Sequence, residues 1–204
     1  MRRIYFFLIL TALFIISSCG TENTTPADEN KIETFAADTT NEPLYPYAQY
    51  IDSQINYVVN AQLAVFQFKY DNGILTDSSI ISKDSFRQIA SQFNQPDLNL
   101  SGLRKGYTEE SFQDLSTESI TFMIKALNDT SVIKEVTVLL QPESKAVKNI
   151  IIKKIIEHPD YTETRNLLWV NNMNCQIVSV LNYKSGKTES KILKLEWDKP
   201  LQEI

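Results

Sequence analysis

Six runs of β-forming residues follow one another from Ile120 to Trp197, each closed by a short cluster of turn residues, and this series constrains the fold more than any other feature of the chain. Ile120, Phe122, Ile124 and Ala126 alternate before Asn128-Asp129-Thr130-Ser131, and Val136, Val138 and Leu140 alternate before Pro142-Glu143-Ser144-Lys145. The third run, Val147 to Glu157, is apolar on both sides in its middle and meets the turn His158-Pro159-Asp160. Glu163 to Val170, Cys175 to Tyr183 and Thr188 to Trp197 complete the series, separated by Asn171-Asn172-Met173-Asn174 and Lys184-Ser185-Gly186-Lys187. Sequential strands joined by tight turns give an antiparallel meander. Its apolar rows need a covering layer.

That layer is expected from the preceding segment. Tyr47, Ile51, Ile55, Val58 or Val59, and Leu63 recur at helical spacing with Pro46 in the first turn, which predicts an amphipathic helix over 45–62. Ala64, Phe66, Phe68 and Tyr70 then alternate up to Asp71-Asn72-Gly73, and Ile74 to Ser82 returns, the pattern of a hairpin around a glycine turn. Ser82 is placed to cap a short helix carrying Phe86, Ile89, Ala90 and Phe93, stopped by Pro96. Residues 97–107 read as loop, and Thr108 as the cap of another short helix through Phe112 whose N-terminus Glu109 and Glu110 favour. The expected architecture is one α+β domain over 44–204. Its N-terminal amphipathic helix and short helices pack on a curved antiparallel meander of about six strands, with a hairpin before it.

The N-terminus obeys a different grammar. Arg2 and Arg3 precede an apolar stretch from Ile4 to Ile16 broken only by Thr11, and Ser17 and Ser18 lead to Cys19, which is the order of an export signal. The apolar stretch is too short for a bilayer core that takes about 20 helical residues. Ile16-Ser17-Ser18-Cys19 resembles the lipobox of bacterial lipoproteins. The resemblance implies removal of 1–18, acylation of Cys19 and attachment to a membrane through the acyl chains. Gly20-Thr21-Glu22-Asn23 lacks the aspartate and the acidic run that resembling proteins use for other destinations, which implies the periplasmic face of an outer membrane.

Residues 19–43 are rich in Thr, Asn, Ala and acidic side chains without apolar periodicity, so they read as a disordered acidic tether with a reach of about 27 Å. Charge is uneven beyond the signal: residues 19–119 carry 6 basic and 15 acidic side chains, and residues 120–204 carry 12 and 10. No basic patch emerges, which argues against nucleic acid as a partner.

The sequence carries no catalytic constellation. His158 is the only histidine and sits in a turn before Pro159, where a surface role fits better than a base serving a serine or cysteine. Cys175 is the only cysteine besides Cys19, so acylation of Cys19 leaves no intrachain disulfide, and its place at a strand start suits a small buried apolar residue. One histidine and one thiol make a zinc site improbable, and neither a metal nor a cofactor is expected. Gly186-Lys187-Thr188 imitates the tail of a phosphate loop, but it lies between two strands and Leu181 stands where a glycine is required. Ser131-Val132-Ile133-Lys134 with Lys184-Ser185-Gly186 imitates penicillin-binding motifs, yet Ser131 belongs to a turn. Asn99-Leu100-Ser101 and Asn128-Asp129-Thr130 fit a glycosylation pattern with no bearing on a bacterial lipoprotein. Tyr45, Tyr47, Tyr50, Tyr57, Trp169 and Trp197 are expected in core packing before any ligand platform.

The arrangement resembles that of small envelope lipoproteins and, at a coarser level, the half-barrel lipid carriers of the periplasm. The expected function is a non-catalytic, lipid-anchored envelope protein that binds a protein or polysaccharide through its sheet face or loops. A carrier or chaperone for lipid or apolar cargo is the second reading, and an enzyme the third.

Overall fold

The computed structural model describes residues 34–35, 42–61, 63–116 and 118–197, so the expected export signal, Cys19 and most of the expected tether lie outside the described residues. Among the described residues, two α-helices and ten strands are laid out in the chain order β1 (Thr34–Phe35), α1 (Tyr47–Asn60), β2 (Val65–Asp71), β3 (Ile74–Ile81), α2 (Lys83–Ala90), β4 (Tyr107–Asp114) and β5 (Ser119–Ala126). Then come β6 (Ile133–Leu140), β7 (Val147–Glu157), β8 (Tyr161–Val170), β9 (Asn174–Tyr183) and β10 (Thr188–Glu196). All pair antiparallel in one open sheet of order β1-β4-β5-β6-β7-β8-β9-β10-β2-β3. The last strand thus returns to the first hairpin, and β3 forms an edge.

Local chemistry sets the turns and helix starts. Asn72 and Gly73 take φ of 49° and 82°, the pair of positive values that a two-residue hairpin turn of this hand requires. Ser82 accepts the Ser85 N–H at 3.1 Å and starts α2, which buries Phe86 and Ala90. α1 buries Tyr47, Ala48, Ile51, Ile55 and Val58 on one stripe. These side chains share a core with Ile150, Ile152, Leu167, Trp169 and Leu195 of the sheet. At its centre, the Trp169 ring lies 5.2 Å from Phe93 and 5.2 Å from Trp197, and Phe86 lies 5.6 Å from Trp197. Edge-on aromatic contacts of this kind add to the burial term.

The broad α+β expectation holds, but the sheet has nine long strands and the two-residue β1 in place of six and a hairpin. The added strand is β4, where a helix through Phe112 was expected. Its register against β5 puts Tyr107, Glu109 and Ser111 on the core side. There Tyr107 donates to the Ile133 carbonyl at 3.1 Å, and Glu109 accepts the Tyr45 N–H at 2.6 Å. Alternate residues therefore reach inward, a period that a helix cannot supply.

The expected tether also differs at two points. Thr34 and Phe35 pair with Phe112 and Ser111 of β4, and the Glu42 carbonyl accepts Arg104 Nε at 2.6 Å, so ordered contacts begin before Leu44.

Candidate functional site

Two surfaces of the sheet stand out. Across β7, β8, β9 and β10, Ile150, Trp169, Cys175 and Leu195 stand opposite one another, as do Ile152, Leu167, Ile177 and Leu193. These rows face α1 and α2. Residues of the other parity point to the second face. There Tyr70, Ile192, Val178, Asn166, Lys153, Glu135 and Lys125 form one row, and Phe68, Lys194, Gln176, Leu168, Ile151, Thr137 and Met123 the next. Most are half-buried, with Ile151, Lys153 and Asn166 exposed. An antiparallel sheet with one packed face commonly carries polar side chains on the other, and this second face is mixed, with Tyr70, Ile192, Val178, Phe68, Leu168, Ile151 and Met123 set among polar and charged residues. Charges of both signs are set among these rows, with Lys194 paired to Glu196 and Lys125 3.9 Å from Glu110.

The second surface is the end of the first face where the helix layer stops. Lys154 and Arg165 are cross-strand partners there. Lys154 is buried and donates to the carbonyls of Gln92 and Gln95 at 2.7 and 2.9 Å, which ties the segment after α2 to the sheet. Burial and the neighbouring Arg165 charge lower its pKa to about 8. Arg165 donates twice to Glu163, at 2.9 and 2.8 Å, and once to Gln92 Oε1 at 2.9 Å. Burial alone would raise the Glu163 pKa, but hydrogen bonds from Ser179 and Arg165 and the Arg165 and His158 charges bring it below the usual carboxylate value. Beside this network lies a groove of about 260 Å³ lined in part by Lys69, Gln92, Arg165, Ile177, Ser179, Lys191 and Leu193.

His158 does lie in the β7–β8 turn, yet it is less detached than a surface histidine. Its ring stacks on Tyr161 at 4.2 Å, and Nε2 sits 3.7 Å from Glu163 Oε2. An acid, an imidazole and a hydroxyl are therefore close together. Their order differs from that of a nucleophile with its base, because Ser179 hydrogen-bonds to the Glu163 carboxylate.

Cys175 is buried at the start of β9, and desolvation pushes its thiol well above the ordinary value, leaving very little thiolate. Glu109 and Glu110 point to opposite sides, of a strand: the first toward Tyr45, the second toward Lys125. Tyr47, Trp169 and Trp197 are in the core, Tyr50 donates to Asn171 Oδ1, and Tyr57 is exposed. Cys19 lies outside the described residues.

The Lys154, Glu163 and Arg165 network escaped the sequence reading. The only sign of it was Lys154 at a position where the alternation of Ile150 and Ile152 called for an apolar residue. No protein-family model, curated protein or solved structure matches the chain.

Proposed function

We propose that the chain is a non-catalytic, lipid-anchored protein of the cell envelope, held by Cys19 at the periplasmic face of an outer membrane, and that its second sheet face docks a folded envelope protein. The observation that carries this reading is the set of uncovered apolar side chains, Phe68, Tyr70, Leu168, Val178 and Ile192 among them, spread between polar and charged ones on the face turned away from both helices. From β2 to β5 that face spans seven strands, roughly 34 Å by 20 Å at ordinary strand spacing, which approaches the roughly 800 Å² per partner of a standard protein interface. Apolar rows crossed by charges of both signs suit a folded protein surface better than a sugar chain or an anionic one. A carrier would need space along Val147 to Ile156, and Ile150 and Ile152 are each 0% exposed, which leaves no water-sized gap beside them.

Crosslinking in whole cells tests the reading. A photoreactive residue at Val178 is expected to capture one reproducible envelope protein, while the same group at Ser144, in the β6–β7 turn, captures none of it. Capture of no partner at Val178, or of the same proteins from both positions, would sink the docking role. The anchor is tested separately: radiolabelled palmitate is expected to enter the wild type and to be lost completely in Cys19→Ala.

A further inference from the structure

Ile74, Leu75 and Ile80 of the edge strand β3 are 70%, 51% and 62% exposed. Sheet edges are commonly guarded by lysine, by proline or by a very short strand. At the opposite end of the sheet, β1 is two residues long. β3 is eight residues long and reads Ile-Leu-Thr-Asp-Ser-Ser-Ile-Ile, with no lysine or proline, and its one charge, Asp77, is taken by Lys69 at 3.0 Å. Among the described residues, it pairs with β2 alone. Its outer backbone donors and acceptors are therefore left open beside exposed apolar side chains.

The strand is complementary to itself, and a bulge makes it so. Ile81, Ser79 and Asp77 stand opposite Val65, Gln67 and Lys69, on the helix-bearing face, while Ile80 and Ser78 stand opposite Phe66 and Phe68, on the second face. Unbroken alternation would carry Leu75 to the helix-bearing face and Ile74 to the second. The register instead shifts between Lys69 and Tyr70, which leaves Thr76 over and pairs Leu75 with Tyr70 and Ile74 with Asp71. Leu75 thus joins the second face and Ile74 the helix-bearing one. Two copies of β3 run antiparallel about Ser78 then match face for face: Ile74 opposes Ile81 of the second copy, Leu75 opposes Ile80, Asp77 opposes Ser79, and Ser78 opposes Ser78. No carboxylate meets its like.

We propose that the chain forms a homodimer by antiparallel pairing of β3 with β3 of a second copy, which joins the two sheets across a two-fold axis at Ser78. Ladder hydrogen bonds and the Leu75–Ile80 and Ile74–Ile81 cross-strand pairs supply the attraction. The exposed apolar side chains of β3 are the ones these pairs cover. An eight-residue strand is only about 27 Å long, a smaller contact than a standard interface, so the dimer depends on concentration.

Disulfide trapping in the full chain in detergent micelles tests this, with the wild type as blank for Cys19 and the buried Cys175. Opposed residues of antiparallel strands have Cα atoms about 4.5–5.5 Å apart, within disulfide reach. Ser78→Cys is therefore expected to give a covalent dimer under mild oxidation. Ile74→Cys lies about 20 Å along the strand from its own counterpart and is expected to give none, while Ile74→Cys with Ile81→Cys restores the link. Ser78 is exposed, so its variants are expected to keep the fold. Sedimentation equilibrium of the wild type is expected to show a monomer–dimer equilibrium, weakened at least tenfold by Ser78→Lys, which brings two ammonium groups together at the axis. A wild type monomeric at every concentration, no covalent dimer from Ser78→Cys, or equal linkage through Ser78→Cys and Ile74→Cys would overturn the proposal. Val178 lies three strands in from β3, so capture of an envelope protein there succeeds or fails separately.

Discussion

Lys154 shows how one buried charge can be read in both stability and pH. The folded chain releases its proton near pH 8, whereas the unfolded chain holds it to its ordinary value near 10.5. Between those values the unfolded state binds more protons, so folding stability from this group rises as pH rises. Urea unfolding at pH 7.5 and 9.5 is expected to show that gain in the wild type and to lose it in Lys154→Met. The substitution itself should cost about 1–3 kcal/mol at pH 7.5, because the Gln92 and Gln95 carbonyls lose their donor. Glu163→Gln is expected to cost about 2–3 kcal/mol in the same assay, since it removes the buried carboxylate that pairs the half-buried Arg165. Neither role was legible in the sequence. Lys154 finds its partners 62 and 59 residues away, and Arg165 reaches Gln92 across 73 residues, distances at which residue spacing carries no signal. What the sequence did expose was the isolated terminus chemistry, such as Ser82 before Lys83-Asp84-Ser85, because a cap is satisfied within three residues.

Elements were legible in proportion to how local their forces are. The six runs after Ile120 appear as β5 to β10 because alternation and turn residues are neighbours in the chain. α2 starts at the expected Ser82 cap for the same reason, although it ends at Ala90, short of Phe93 and Pro96, and Ser82→Ala should cost about 1 kcal/mol in thermal or urea unfolding, the usual worth of a lost N-cap. β4 was misread because Thr108-Glu109-Glu110-Ser111 offers no apolar alternation. Glu109 occupies an inward position by virtue of the Tyr45 N–H, 64 residues distant, and no outward-facing set contrasts with it. The bond does not come free: burial raises the Glu109 carboxyl pKa despite the Tyr45 hydrogen bond and the Arg104 charge. In the β2–β3 hairpin the turn was plain but the facing was not. Phe66, Phe68 and Tyr70 supply the visible alternation, yet register against β10 places Val65 and Gln67 toward the core and the aromatics on the second face. An amphipathic strand in a sheet that carries apolar side chains on both faces gives period without direction.

The whole molecule turns on that two-faced sheet, because a docking role requires the second face to carry apolar side chains and yet not be packed already. Ile177 and Val178 are neighbours on β9 that point to opposite faces. Ile177 is 6% exposed in the core, whereas Val178 lies in the row between Ile192 and Asn166. Ile177→Lys should therefore bury a charge among apolar side chains and cost about 4 kcal/mol or more, enough to unfold a marginal domain. Val178→Lys should cost under about 1 kcal/mol, since its ammonium reaches water over the uncovered rows. Urea titration of the two variants, followed through Trp169 and Trp197 fluorescence, reads both costs from the centre of the core. Should Val178→Lys prove as costly as Ile177→Lys, the second face is packed against something within the chain. It would then be unavailable to a partner, and the sheet would have to be regarded as a core with two covered sides.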